Sequence, residues 1–171
     1  MKIYTKKGDQ GGTDLIGKRV EKDDLRIELN GLFDETMALI ILAKHEIRNN
    51  LLKEDFNRIH EDLYIICYEV AQGIPEKYLI SKKQIEWLEM RIDEITGKME
   101  PLNKFIQLDQ TRAASWVNLV RVSIRKAERM FYIVKKKFPL NEHALGYCNR
   151  LSDYFFTVGR YLDEVPAAHN A

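Results

Sequence analysis

The chain has 171 residues, 45% of them hydrophobic and 31% charged, which is enough apolar material for one sizeable core, so a single domain over 1–171 is expected. A formal net charge of +1 excludes bulk attraction to nucleic acid or an anionic membrane, so any anion site must be local. No apolar run reaches membrane-spanning length, and Met1-Lys2-Ile3-Tyr4-Thr5 lacks an apolar signal core, so a cytoplasmic protein is expected.

Residues 1–22 hold Gly8, Gly11, Gly12 and Gly17, four of the nine glycines, and read as an irregular arm. Strand signals are weak; the alternation in Lys2-Ile3-Tyr4-Thr5 is short. From 23 to 163 the chain is periodic, and five helices are expected. The first covers about 24–48, with Asp23 or Asp24 as cap and Ile27, Leu32, Met37, Ile40 and Ile41 as apolar positions. The second covers about 53–72, with Phe56, Ile59, Leu63, Ile66 and Val70 at helical spacing, and is stopped by Gly73 and Pro75. The third starts at Ser81, where Ser81 and Gln84 form a capping-box pattern. It presents Ile85, Leu88, Ile92 and Ile95 and ends near Gly97. The fourth covers about 109–137, ending before Pro139, and the fifth about 141–163. The pattern predicts an all-α, up-and-down five-helix bundle behind an irregular glycine-rich N-terminal arm. Cys67 and Cys148 lie far apart inside apolar segments, the setting of buried free thiols in a reducing compartment.

Three groups of residues have chemistry in reach. In the arm, Thr5-Lys6-Lys7-Gly8-Asp9-Gln10-Gly11-Gly12-Thr13 combines glycines, which let consecutive N–H groups face an anion, with hydroxyls at Thr5 and Thr13. Lys6, Lys7, Lys18, Arg19 and Lys22 add positive charge, which suits a polyphosphate cradle, though not of the Walker spacing. A solvated tail has the same composition. On the fourth helix, Arg121, Arg125 and Glu128 share one face, with Lys126 and Arg129 beside them. Two arginines and a glutamate can grip phosphates or a phosphate-bound Mg²⁺; an ion-paired solvent face has the same spacing. On the fifth helix, Asn149, Asp153 and Phe156 recur at i, i+4 and i+7, which fits a cleft wall or a polar network between helices.

The segment Thr5–Thr13 resembles the N-terminal nucleotide loop of the PduO-type ATP:cob(I)alamin adenosyltransferases. Lys22-Asp23-Asp24 followed by Gly31-Leu32-Phe33-Asp34-Glu35 resembles that family's next signature. Arg121-Val122-Ser123-Ile124-Arg125-Lys126-Ala127-Glu128-Arg129 and Asn149-Arg150-Leu151-Ser152-Asp153 resemble its two C-terminal motifs, in the family's order and over nearly the whole chain.

The resemblance implies a five-helix bundle that forms a homotrimer with active sites between subunits. It implies transfer of the 5′-deoxyadenosyl group of ATP to the cobalt of a reduced corrinoid, with release of triphosphate. Cobalt is itself the nucleophile, so no catalytic triad or base is required. By the motif match, Thr5, Lys6, Lys7, Gly8, Thr13, Lys22, Arg125, Lys126, Glu128, Arg129 and Asn149 would hold ATP, with Glu128 near Mg²⁺. Arg125 would stabilise the leaving phosphates, and Asp34 and Arg121 would pair across subunits beside the reaction. Phe105 would lie under the cobalamin ring, with Phe156 and Asp153 on the same corrinoid side. A reductase and a cobalamin-dependent acceptor enzyme are the implied protein partners, with no nucleic acid and no membrane.

The chain departs from the family pattern at several points. Gln107-Leu108-Asp109-Gln110 stands where Leu-Pro-Gly-Gly is usual, Lys126 replaces an arginine and Lys7 a threonine or asparagine, and little chain follows the fifth helix. The nucleotide-side residues are better preserved than the corrinoid-side ones. These departures leave a second reading, a diverged relative that binds ATP or a corrinoid as sensor, carrier or chaperone without turnover.

Overall fold

Asp24 begins the first helix in the computed structural model, which describes residues 2–72, 78–108 and 110–165. Its side chain accepts the Arg26 N–H, and the Arg26 guanidinium beside it holds the Asp24 carboxyl down at about 2. All five expected helices are present: α1 (Leu25–Glu46), α2 (Asn50–Val70), α3 (Lys82–Thr96), α4 (Arg112–Lys135) and α5 (Glu142–Glu164). The capping box of α3 forms as expected, with the Ser81 N–H donating to Gln84 Oε1 at 3.1 Å.

Two boundaries differ from the expected ones because a better cap wins. Helix α2 begins before residue 53, since Asn49 Oδ1 accepts the Leu52 N–H at 3.0 Å. Helix α4 begins after residue 109, since Thr111 Oγ1 accepts the Ala114 N–H at 3.1 Å. Asp109, Gly73 and Pro75, assigned to helix ends from sequence, lie outside the described residues.

The arm is more ordered than an irregular segment. Strands β1 (Gly12–Leu15) and β2 (Lys18–Glu21) pair antiparallel, with Thr13 opposite Val20 and Leu15 opposite Lys18. The connecting turn, Ile16-Gly17, needs a left-handed residue second, and Gly17 supplies it at φ 75°. Four-residue strands whose burial does not alternate, with only Gly12 and Leu15 buried and none in β2, leave almost no periodicity to read.

The helix faces close one core. Helix α4 packs on α5 and α1, α5 also on α3, and α1 on α2. Val117, Val120, Ile124 and Ala127 of α4 are fully buried, as are Leu29 and Phe33 of α1 and Leu151, Tyr154 and Phe155 of α5. Phe56 of α2 meets Phe155 edge-on at 5.4 Å, and Phe33 meets Phe131 at 6.5 Å. Buried polar groups tie the layers: Thr36 Oγ1 to Ser123 Oγ at 2.8 Å, and the Tyr147 hydroxyl to Asp62 Oδ2 at 2.8 Å. Cys148 is buried and Cys67 half-buried, both are free, and burial pushes the Cys67 thiol up to about 12. Neither is a reactive thiolate. Among the described residues no helix is long and apolar enough to cross a membrane.

Candidate active site

The α4/α5 packing that buries one stripe of each helix leaves a groove on the outer side of the seam. It is an open cavity of ≈ 850 Å³ lined by Arg125, Glu128, Arg129 and Tyr132 from α4 and by Glu142, Leu145, Gly146 and Asn149 from α5. Its floor is pinned by Asn149 Nδ2, which donates to Glu128 Oε1 at 2.9 Å. Arg125 Nη1 donates to Ser152 Oγ of α5 at 3.3 Å, which aims the guanidinium along the seam. Arg121 lies one turn back; burial and the neighbouring Arg125 charge push its guanidinium below its ordinary pKa. Like charges held that close attract an anion, because a phosphate relieves both repulsion and desolvation.

The arm supplies a second cationic surface, with a division of labour that sequence alone did not show. Arg19 is committed internally: Nη1 donates to Asp14 Oδ1 at 2.9 Å and Nη2 to the Lys7 carbonyl. Lys18 Nζ donates to Gln72 Oε1 at 2.8 Å. Neither is the free phosphate ligand that its charge suggested. Lys7, Lys22 and Arg129, by contrast, form no ion pair among the described residues. A Cβ at Gly8 would stand 3.5 Å from Lys22 Nζ, so the bare backbone leaves the ammonium against the loop. Lys6 and Gly11 take left-handed φ values of 60° and 87°, and Thr5 Oγ1 accepts the Lys7 N–H at 3.4 Å. The loop is thereby curled around its own N–H groups.

Other expected members sit apart. Lys126 Nζ reaches Glu35 Oε2 of α1 at 3.5 Å, so it bridges helices at the edge of the groove. Asp153 is taken by Arg150 Nη1 at 2.7 Å and does not join Asn149. Asp34 is exposed on α1 and forms no ion pair among the described residues, and Arg121 Nε donates to Asn118 Oδ1 at 2.9 Å. Within one chain the two do not meet. Phe105 is fully exposed in a shallow cavity with Lys104, Ile106, Gln107, Gln110, Asp163 and Glu164, while Phe156 is half-buried against the core.

The 107–110 turn, which lacks the usual Pro-Gly-Gly, is anchored differently. Leu108 is buried against Gly159 of α5, where a Cβ would come within 2.8 Å of Leu108 Cδ1. Asp163 accepts the Gln110 N–H at 3.3 Å, the Thr111 N–H at 2.9 Å and the Thr111 hydroxyl at 3.0 Å. Gly159→Ala should therefore shift the turn beneath Phe105. Helix propensity would return about 1 kcal/mol, against about 1–3 kcal/mol of overpacking. A small change in Tm with a large loss of the activity expected from the resemblance, read by calorimetry and by turnover, is the expected pair of results; unchanged turnover would show that the turn does not position Phe105.

The cobalamin adenosyltransferase family model matches residues 3–162. This chain belongs to that family. It is 36% identical over 168 residues to the corrinoid adenosyltransferase of Bacillus subtilis, covering 95% of this chain and 87% of that one. It is 29% identical over 170 residues to a corrinoid adenosyltransferase of Citrobacter freundii, covering 96% and 97%. A variant PduO-type ATP:corrinoid adenosyltransferase from Lactobacillus reuteri, solved in complex with cobalamin and ATP, superposes with a TM-score of 0.87 at 30% identity, covering 95% of this chain and 93% of that one.

Sequence reasoning missed four lining residues of this adenosyltransferase: Tyr132, Glu142, Leu145 and Gly146. Tyr132 had a readable signal, since it follows Arg125 by seven residues and so lies on the same face about 10.5 Å along. Leu145 and Gly146 sit one turn before Asn149, the same signal on α5. Ser152, which holds Arg125, had none, because only the helix pairing brings it near.

Proposed function

We propose that this chain transfers the 5′-deoxyadenosyl group of ATP to the cobalt of a reduced corrinoid, acting as a corrinoid adenosyltransferase. The observation that carries this is the groove in which Arg125 and Arg129 face α5 above the Glu128–Asn149 bond. The relatives named above carry the same activity in their names, and one was solved with both substrates.

In this reaction a Co–C5′ bond forms as the C5′–O bond breaks, and the electron pair leaves with triphosphate. The charge that grows on the departing oxygens is what the protein must stabilise. Arg125, Arg129, Lys7 and Lys22 would supply the positive charge for that, with Arg125 held by Ser152 before the reaction begins. Thr5, Lys6, Gly8 and Thr13 would add backbone and hydroxyl donors to the phosphates, with Lys126 at the edge. Positioning the two substrates in line accounts for much of the rest of the barrier.

The donor set fits Mg²⁺ only in company with phosphate. Among the described residues no group of three or more His, Cys, Asp or Glu side chains could cage a metal. In the groove Glu142 Oε1 is neutralised by Lys135 and Glu128 Oε1 accepts from Asn149, so Glu128 is the carboxylate without an ion pair among the described residues and would be the one to meet a phosphate-bound Mg²⁺. Magnesium habitually takes one or two carboxylates plus phosphate oxygens and water, and would add positive charge at the leaving group.

On the corrinoid side, Phe105 presents an exposed apolar ring that would keep water and the lower ligand off cobalt, and Phe156 and Asp153 would contribute to the same corrinoid surface. The exposed Asp34 and the half-buried Arg121 fit a pair completed by a second subunit, as in the shared sites of the homotrimer that the resemblance implies, with one domain per chain. Cytoplasmic placement, a reductase and a corrinoid-dependent acceptor enzyme are consistent with this chemistry. Asp34→Asn should weaken the trimer or its activity, since unpairing one member of a desolvated ion pair costs about 3–5 kcal/mol. Light scattering at micromolar protein reads this; a wild-type monomer would sink the shared site.

The activity is tested by mixing the protein with MgATP, a reductant and cob(II)alamin, and following the optical spectrum for the alkylated corrinoid alongside triphosphate release. Tight ATP binding with no spectral conversion would favour the non-catalytic relative.

A further inference from the structure

Between the arm and the groove sits the C-terminal end of α2, which none of the sequence motifs includes. Gln72 there adopts φ 60°, the left-handed region that disfavours side chains. Its N–H donates to the Glu69 carbonyl at 2.8 Å. Its side-chain Oε1 accepts from two cations on different elements, Lys18 Nζ at 2.8 Å and Arg26 Nη1 at 3.3 Å. Lys18 opens β2, and Arg26 is locked in the first turn of α1 by Asp24 at 2.6 Å and by the Phe138 ring, 4.2 Å from its guanidinium carbon. In the preceding turn, Glu69 Oε1 accepts the N–H of Asn141, the residue that caps α5.

One end of one helix thus grips the hairpin that carries the nucleotide loop and the helix that walls the groove. Among the described residues, Lys18–Gln72 is the hydrogen bond that joins residues 2–22 to helices α2–α5. A carbonyl oxygen has two lone pairs, so one glutamine can hold an arm lysine and a bundle arginine at once. Strained backbone of this kind persists where the surroundings over-determine it, typically at functional sites.

We propose that Gln72 is a positioning residue that clasps Lys18 and so sets the nucleotide loop in register with the Arg125–Asn149 groove. This rests on the ATP-binding reading above. The clasp touches no reacting atom, so it acts on nucleotide affinity in the ground and transition states alike.

The test is MgATP affinity by calorimetry, together with KM and kcat, for the intact protein carrying Gln72→Met or Gln72→Glu. Methionine keeps length and backbone strain but removes the acceptor; glutamate keeps the acceptor and adds charge opposite both cations. Gln72→Met should weaken MgATP binding and raise KM about tenfold, the effect of one hydrogen bond to a charged group, with kcat within about twofold. Gln72→Glu should bind at least as tightly as wild type. Lys18→Met should match Gln72→Met, and the double variant should be no worse than either single one. If Gln72→Met does not fold, Lys18→Met on the exposed strand answers alone. Wild-type affinity in the methionine variants, or equal losses in Gln72→Met and Gln72→Glu, overturns the clasp. A wild-type protein that does not bind MgATP overturns the ATP reading first, and the clasp with it.

Discussion

Arg125→Ala should lower kcat by about 10²–10³ while leaving the fold intact, and Arg125→Lys should fall between the two. The guanidinium sits at the mouth of the α4/α5 groove, exposed to solvent on one side and held by Ser152 Oγ on the other. Removing it takes one long donor from the buried Ser152 hydroxyl, which can turn to a carbonyl of its own helix instead, so the unfolding midpoint should move by only a few degrees. The cost falls instead on the transition state, where the leaving phosphate oxygens gain charge that a fixed donor meets without reorganisation. One such donor typically contributes about 2.7–4 kcal/mol. Lysine keeps the charge but loses the planar fork that grips two oxygens together. Steady-state kinetics at saturating MgATP, with Arg121 and Arg129 unchanged, measures the effect. Wild-type kcat in the alanine variant would reassign the phosphate role to Arg129 and the arm.

Asp55→Ala should be the most destabilising of the changes considered, by about 3–5 kcal/mol. Asp55 of α2 is buried and accepts from Arg91 Nη2 of α3 at 2.9 Å and from the Tyr154 hydroxyl of α5 at 2.8 Å. It joins three helices at one point. Alanine there would leave a largely buried guanidinium and a fully buried hydroxyl without their acceptor. For a chain of this length each kcal/mol corresponds to about 2–4 °C, so a Tm loss on the order of 10 °C is expected. Replacing all three partners together, by Asp55→Leu, Arg91→Met and Tyr154→Phe, should recover most of it, because the burial penalty vanishes with the charges. Urea unfolding of the wild type, Asp55→Ala and the triple variant separates the cases. A loss below about 1 kcal/mol in Asp55→Ala would mean that the pair behaves as if solvated.

The five helices were legible in the chain because burying one stripe of a helix imposes its own period on the sequence. Leu32, Met37 and Ile40 of α1, or Val117, Val120 and Ile124 of α4, show that period and are buried, whereas Ile41, read as part of the same α1 face, is 40% exposed and Leu29 and Phe33 fill the core instead. The groove-lining Arg125 and Glu128 were legible for the same reason, since they sit on one face whatever surrounds the helix. The β1–β2 hairpin was not, because its strands are too short to carry a pattern and its order comes from Gly17, cross-strand pairing and Arg19. Nor could composition tell a free cation from a committed one. Lys18 and Lys22 look alike in the sequence, yet Lys18 is bonded to Gln72, 54 residues away, while Lys22 lies against Gly8. The 107–110 turn makes the same point: without Pro-Gly-Gly it is held by Leu108 in the space left by Gly159 and by Asp163, all from packing. Sequence by itself determined the helices, the core faces and the family, because each is written in local periodicity or in contiguous motifs. Which polar groups remain available to a ligand was decided only by the tertiary structure, because a hydrogen bond between distant residues leaves no mark on the spacing of either.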